Sequence, residues 1–254
     1  MNKLQRKFIF LIFGILFVPG AVSAGVADSL FSTAGSYYQN QEYEQALENY
    51  LRLEQNDYQS AALYFNIGNC YFKQGKPGYA ILYYLKAKRL SPNDADINAN
   101  LAFAQQLMPT RLEGIKINPV TSFFDMLVGP FTLNNLAWIA SILFILLGLF
   151  LSLVVFFQYR GLTVKIAITV ILVLFISASG LTTYKYRRDY MTPRGVIVAD
   201  EARIYSGPGE DNDLEFTGVF GLTFEIEKST DDYYLVIFEN KRKGWIKKES
   251  VAVI

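Results

Sequence analysis

The 254-residue sequence has no histidine and a single cysteine, Cys70. Without histidine it lacks the commonest general base, the commonest zinc ligand and the Ser-His or Cys-His nucleophile pairs. One cysteine excludes an intrachain disulfide and cannot build a metal site alone. Charge imbalance is missing too: 24 Lys and Arg against 23 Asp and Glu give a formal net charge of +1. Nucleic-acid binding needs a basic stripe to neutralise phosphates, and the balance offers none. These absences point away from an enzyme, a cofactor protein or a nucleic-acid binder. What the chain has instead is apolar bulk, 52% of its residues. It is concentrated in three blocks, Phe8–Val18, Leu136–Phe157 and Ile166–Tyr184.

The first block comes after Lys3, Arg6 and Lys7 and leads into Pro19-Gly20 and "AVSA". A basic start, a short apolar core and small residues at a cut site predict a secretory signal over residues 1–24, cleaved after Ala24. An uncleaved anchor is the alternative, and either version exports the residues beyond it. The second block, residues 136–157, is 22 residues without a charge, about 33 Å as a helix and long enough to cross a bilayer. The third, Ile166–Tyr184, is equally uncharged, only "QYRGLTVK" separates the two blocks, and the span is expected over 163–184. Together they predict a two-helix transmembrane hairpin, with buried helices of a soluble core as the alternative. No ionisable residue interrupts either stretch, which argues for an anchor over an ion pathway. Lys185, Arg187 and Arg188 lie just past the last span on the proposed outer side, against the positive-inside tendency.

Between signal and hairpin the chain repeats. A shift of 34 residues lays Tyr37 on Tyr71, Ala46 on Ala80, Leu47 on Ile81 and Tyr50 on Tyr84. The second copy reads Tyr64, Ile67-Gly68, Tyr71, Ala80, Tyr84 and Pro92, which is similar to the tetratricopeptide signature with Tyr in place of Trp and Phe. Copies over 27–60 and 61–94 and a partial third over 95–108 predict stacked helical hairpins. Gly75-Lys76-Pro77 supplies a turn and Pro92 a stop. Such arrays bind partners along their first helices, so Phe31 and Tyr38 of copy one and Phe65, Asn69, Phe72 and Lys73 of copy two are candidate contact residues. Asn69 and Lys73 stand where some tetratricopeptide domains hold a ligand carboxylate. Gly35 and Gln39 at the matching places of copy one leave that clamp incomplete. Bridging within the repeat is the other role open to Asn69. Cys70 reads either as a small buried hydrophobe or as a reactive thiol.

The connector, 109–135, carries Phe123, Phe124, Met126 and Leu127, which fit a helix lying on a bilayer surface or a linker packed on the repeats. From Gly195 the rhythm changes to period two, with short β-type runs separated by turn residues. "ARIYSGPG" at 202–209, Tyr233-Tyr234-Leu235-Val236 and Gly244-Trp245-Ile246 resemble the opening, middle and close of bacterial SH3-like domains. That resemblance implies a small barrel over 195–254 that binds peptidoglycan or peptide through Tyr205, Tyr233 and Trp245. Packing of these rings in the barrel core is the alternative. The segment holds twelve acidic and seven basic side chains, which permits a basic partner. Its string "GEDNDLE" lacks the Gly and distant Glu of an EF-hand loop.

The expected fold is therefore a multidomain membrane protein: an all-α tetratricopeptide superhelix, a two-helix transmembrane hairpin and a small all-β SH3-like barrel. In this order the parts resemble the BatE-type branch of the Bat (Bacteroides aerotolerance) proteins. The resemblance implies a multi-pass protein of a bacterial inner membrane, with repeats and barrel in the periplasm. It implies other Bat-type membrane proteins as partners, several with von Willebrand factor A domains, and a role in oxygen or oxidative-stress tolerance. A membrane-anchored scaffold for protein partners is the leading expectation. A cell-wall sensor that binds peptidoglycan is the alternative from another class. No catalytic residue and no cofactor is expected.

Overall fold

A computed structural model describes residues 24–109, 119–159 and 161–254. The expected signal segment up to residue 23, and residues 110–118 of the connector, lie outside the described residues.

Five helices open the described chain: α1 Ala24–Gln39, α2 Tyr43–Gln55, α3 Ala61–Lys73, α4 Pro77–Leu90 and α5 Ala95–Gln106. Their ends obey local chemistry. The hydroxyl of Ser60 accepts from the Leu63 N–H at 3.0 Å, and the carboxylate of Asp94 accepts from the Asp96 and Ile97 N–H groups. Each such cap contributes about 1 kcal/mol. Pro77, with no N–H to satisfy, opens α4. Helices α1 and α3 close with the same pair of bonds, Gln41 N–H to Tyr38 O and Glu42 N–H to Tyr37 O in one, Gly75 N–H to Phe72 O and Lys76 N–H to Tyr71 O in the other. That closure needs a left-handed residue, and Gly75 (φ +72°) and Gln41 (φ +65°) occupy it, 34 residues apart.

Small residues bring the helices together. A Cβ on Gly68 would lie 2.6 Å from the Tyr84 ring, so only glycine lets α3 and α4 close on that ring. Ala34, Ala46, Ile67, Cys70, Ala80, Ile81 and Ala87 are all fully buried, with Tyr50 and Tyr84 as the largest side chains among them. Tyr83 donates to Glu54 at 2.7 Å and Lys86 pairs with the same carboxylate at 3.0 Å, tying α4 to α2.

Helix α6, Pro119–Val128, leads to two apolar helices, α7 Leu133–Phe157 and α8 Leu162–Tyr186. Both are long and apolar enough to cross a membrane. They lie side by side, with Phe144 against Phe175, and expose large apolar side chains along nearly their whole length. Because they form a hairpin, α7 starts and α8 ends at the same end. There Tyr184 donates to Asp125 of α6 at 2.8 Å, and α8 runs on into a single π-helical turn, Arg187–Met191. Phe123, Phe124, Met126 and Leu127 of α6 stay exposed rather than packing on the repeats.

Seven strands complete the chain: β1 Arg194–Ile197, β2 Glu201–Tyr205, β3 Leu214–Val219, β4 Thr223–Ser229, β5 Tyr233–Phe238, β6 Lys243–Lys247 and β7 Val251–Val253. They form one antiparallel sheet in the order β3-β2-β6-β5-β4-β1-β7 around Ile197, Ile204, Phe224, Val236, Phe238 and Ile246. The expected closed barrel is corrected here: β3 and β7 are edges with no ladder between them. After β3 the chain turns at Gly221 (φ +83°), whose N–H meets the Ile197 carbonyl at 2.8 Å and so continues the β1–β4 pairing. Repeat side chains pack against this turn. A Cβ on Gly221 would meet Ile81 at 2.6 Å and Met108 at 3.0 Å.

Repeats and sheet thus share one hydrophobic cluster, in which Val196, Val198, Phe220, Ala252 and Ile254 join the repeat core. The approach is closest at Gly78, where a Cβ would lie 2.6 Å from the Val198 carbonyl oxygen. The sheet covers the second-helix side of the repeats and caps an array that has few units to stack.

Candidate protein-binding site

The first helices α1, α3 and α5 leave an open cavity of about 310 Å³ on the side away from the sheet-covered α4 face. It is lined by Tyr38, Asn69, Phe72, Lys73, Tyr84, Asn100 and Phe103. Four expected contact residues, Tyr38, Asn69, Phe72 and Lys73, therefore meet at one place. Phe65 packs its ring on Tyr84 at 5.8 Å, and Phe31 packs edge-on to Tyr50 at 5.4 Å. Phe65 thus backs the lining residue Tyr84, whereas Phe31 lies away from the cavity.

Hydrogen bonds fix the floor. Tyr84 donates to the Asn69 carbonyl oxygen at 2.7 Å, and the Asn100 amide donates to the same atom at 3.0 Å. The bridging role for Asn69 is thus real, and it leaves the amide's donors as what Asn69 can still offer. One repeat earlier the Asn66 amide faces the Tyr50 hydroxyl, as the Asn100 amide faces that of Tyr84. Tyr50 and Tyr84, like Asn66 and Asn100, are 34 residues apart, so a tyrosine of each second helix reaches an asparagine of the next first helix. Burial raises the Tyr84 phenol from its ordinary value and pushes the Tyr50 phenol up to about 12, so both stay donors at neutral pH.

Phe103 lies tilted against the Phe72 ring at 5.6 Å and is exposed. Lys73, also exposed, makes no ion pair among the described residues and is the sole charged group on the lining. The groove thus offers donors, one cation and aromatic faces. Cys70 lies behind it, fully buried, with its thiol pushed up to about 12 by burial. Such a thiol is protonated at neutral pH and closed to reagents. Asn100 and Phe103 were absent from the expected set, although the shift of 34 from Asn66 and Asn69 lands on them.

On the sheet, Tyr205 stands opposite Trp245 across β2 and β6, and Tyr233 stands opposite Lys247 across β5 and β6. The three rings therefore share the face turned away from Ile204 and Ile246. Tyr205 and Tyr233 are buried and Trp245 is half-buried, so this set does not form an open groove. Lys247 beside them is bound by Glu210 of the β2–β3 loop and lies 3.6 Å from Glu249. The acidic loop "GEDNDLE" is thereby tied down by an ion pair. Among the described residues no cluster of His, Cys, Asp and Glu could hold a metal ion.

A family model described as a tetratricopeptide repeat matches residues 33–95, the greater part of copy one and all of copy two, up to the start of α5. No curated protein matches the chain.

Proposed function

We propose that this protein is a membrane-anchored scaffold that holds an extended segment of a protein partner in the repeat groove. The observation that carries this reading is the groove itself: Tyr38, Asn69, Phe72, Lys73, Asn100 and Phe103 around one open cavity, floored by buried hydrogen bonds. Its chemistry selects a segment bearing acceptors, a carboxylate and apolar side chains, since the lining offers N–H donors, a lysine and aromatic faces. The apolar flanks of α7 and α8 would lie in the bilayer, with the exposed rings of α6 at its surface. Repeats and sheet would then stand on one side of it, because they share a core at one end of the hairpin. The basic residues after α8 meet carboxylates on that side: Lys185 pairs with Asp189 at 3.0 Å and Arg188 with Asp125 at 3.1 Å. The resemblance to the Bat proteins supports a periplasmic position for this side at a bacterial inner membrane, with von Willebrand factor A domain proteins as partners and stress tolerance as the setting. The sheet resembles an SH3-like domain opened at one seam. The cell-wall reading is weaker, because Tyr205 and Tyr233 are packed away.

Purification from gently solubilised membranes tests the scaffold. Wild type should recover a specific protein that Phe72→Ala and Lys73→Glu lose, while Trp245→Ala keeps it. Recovery that ignores the groove variants sinks this reading. Reporter fusions at residues 110, 161 and 254 test the topology, and cytoplasmic activity at 110 would overturn it.

A further inference from the structure

A second cavity, of about 350 Å³, opens where repeats, hairpin and sheet meet. That volume falls among sites for small ligands, about 300–1,000 Å³. Five cations line it: Lys88 and Arg89 from α4, Lys185 from the end of α8, Arg188 from the π-helical turn and Arg194 from β1. Three of them are committed. Lys185 pairs with Asp189, Arg188 with Asp125, and Arg194 with Glu225 at 3.5 Å. Asp189, the one acidic side chain on the lining, has Lys185 at 3.0 Å from one oxygen and Arg188 at 4.0 Å from the other.

Lys88 and Arg89 remain. Lys88 is exposed and makes no ion pair among the described residues. Arg89 donates to the Asp189 carbonyl at 3.3 Å and lies over the Tyr190 ring, but meets no carboxylate among the described residues. Its Nε is sealed from solvent without an acceptor. A guanidinium on the cavity wall with no carboxylate of its own offers a planar fork of donors that suits a phosphate. The wall is also built on a π-helical turn, a rare form that is frequent at functional sites.

We infer that this cavity binds the phosphate of an anionic phospholipid headgroup at the bilayer surface. The location selects the lipid: the cavity sits where α8 leaves its apolar stretch, level with the exposed rings of α6, within reach of headgroups. The inference rests on the membrane reading of α7 and α8. It gives the basic cluster after α8 a function besides topology.

Native mass spectrometry of the full chain, released from detergent with equimolar phosphatidylglycerol and phosphatidylcholine of matched acyl chains, tests it. Wild type should retain one phosphatidylglycerol in preference to phosphatidylcholine. Lys88→Glu should lower that retention roughly fivefold or more, since a single cation near an anionic surface is worth about that much. Lys73→Glu, in the other cavity, should leave it unchanged. Equal retention of both lipids, or selectivity that survives Lys88→Glu, overturns the inference. Retention of added inorganic phosphate in place of lipid assigns the cavity to a free anion and overturns it as well. Insertion into phosphatidylcholine vesicles, judged by resistance to alkaline extraction, separates the two readings. A chain that inserts without lipid selectivity loses only this inference, and one that never inserts loses both.

Discussion

The repeats and the sheet each carry a set of aromatic residues on the face away from their shared core, yet only the repeats present an open surface. In the groove, Tyr84 sits beneath Asn69 and Asn100, and its hydroxyl is satisfied from within. Phe72, Phe103 and Lys73 can then stay uncovered without leaving a buried polar group unpaired. On the sheet, Tyr205 and Tyr233 are themselves covered, and the neighbouring Lys247 is held by the Glu210 loop. An aromatic patch becomes a binding surface when another element already satisfies the polar groups below it. Where a loop does the covering, the patch is structure.

Truncating the ring beneath the groove should break this comparison most severely. Tyr84→Ala removes a fully buried side chain and should cost about 4 kcal/mol, read by denaturant unfolding of the helical circular dichroism signal. A loss under about 1 kcal/mol would show that the ring does not hold the repeats together. Next in size is the joint between the regions. Gly78→Ala drives a methyl into the Val198 backbone and should cost about 2 kcal/mol. In a Trp138→Phe background, where Trp245 is the remaining tryptophan, sheet fluorescence and helix dichroism should melt together in the parent and separately in the variant. Coincident melting in both would deny the joint its role.

A gain is expected at the first turn. Gln41 occupies the left-handed position that Gly75 fills in copy two, so Gln41→Gly should stabilise by about 1 kcal/mol, seen as a higher melting temperature. The smallest effect concerns the sheet loop. The hydrogen bond from Lys247, and then its charge, hold the Glu210 carboxyl below its ordinary value of 4.5. A depressed carboxyl contributes stability above that value and loses it as pH falls through the lower one. Trp245 emission should therefore stay constant from about pH 7 to 5 and change below 4.5, and Glu210→Gln should remove that step.

Much of this was legible from periodicity. The shift of 34 marks the helical repeats and their first-helix face, because stacked units reuse small residues where helices approach. The long uncharged runs mark the two apolar helices, and alternation marks the strands. The unread parts depend on what covers a surface. Tyr205 and Trp245 look alike in a strand pattern, and only the loop and neighbouring strands decide which is buried. The packing of Ile81 and Met108 on the Gly221 turn joins residues more than a hundred positions apart, which no local pattern encodes. Asn100 and Phe103 were readable, since the same shift reaches them.

The contact between Gly78 and Val198 also sets an order of assembly. Both apolar helices lie between these residues, so in a membrane-inserted chain the sheet can dock only after the hairpin is in place. Until then Ile81 and Met108 on the repeats lack the cover of the Gly221 turn and stand open to solvent. Docking closes that flank, so the repeats complete their core only when the last strands of the chain arrive.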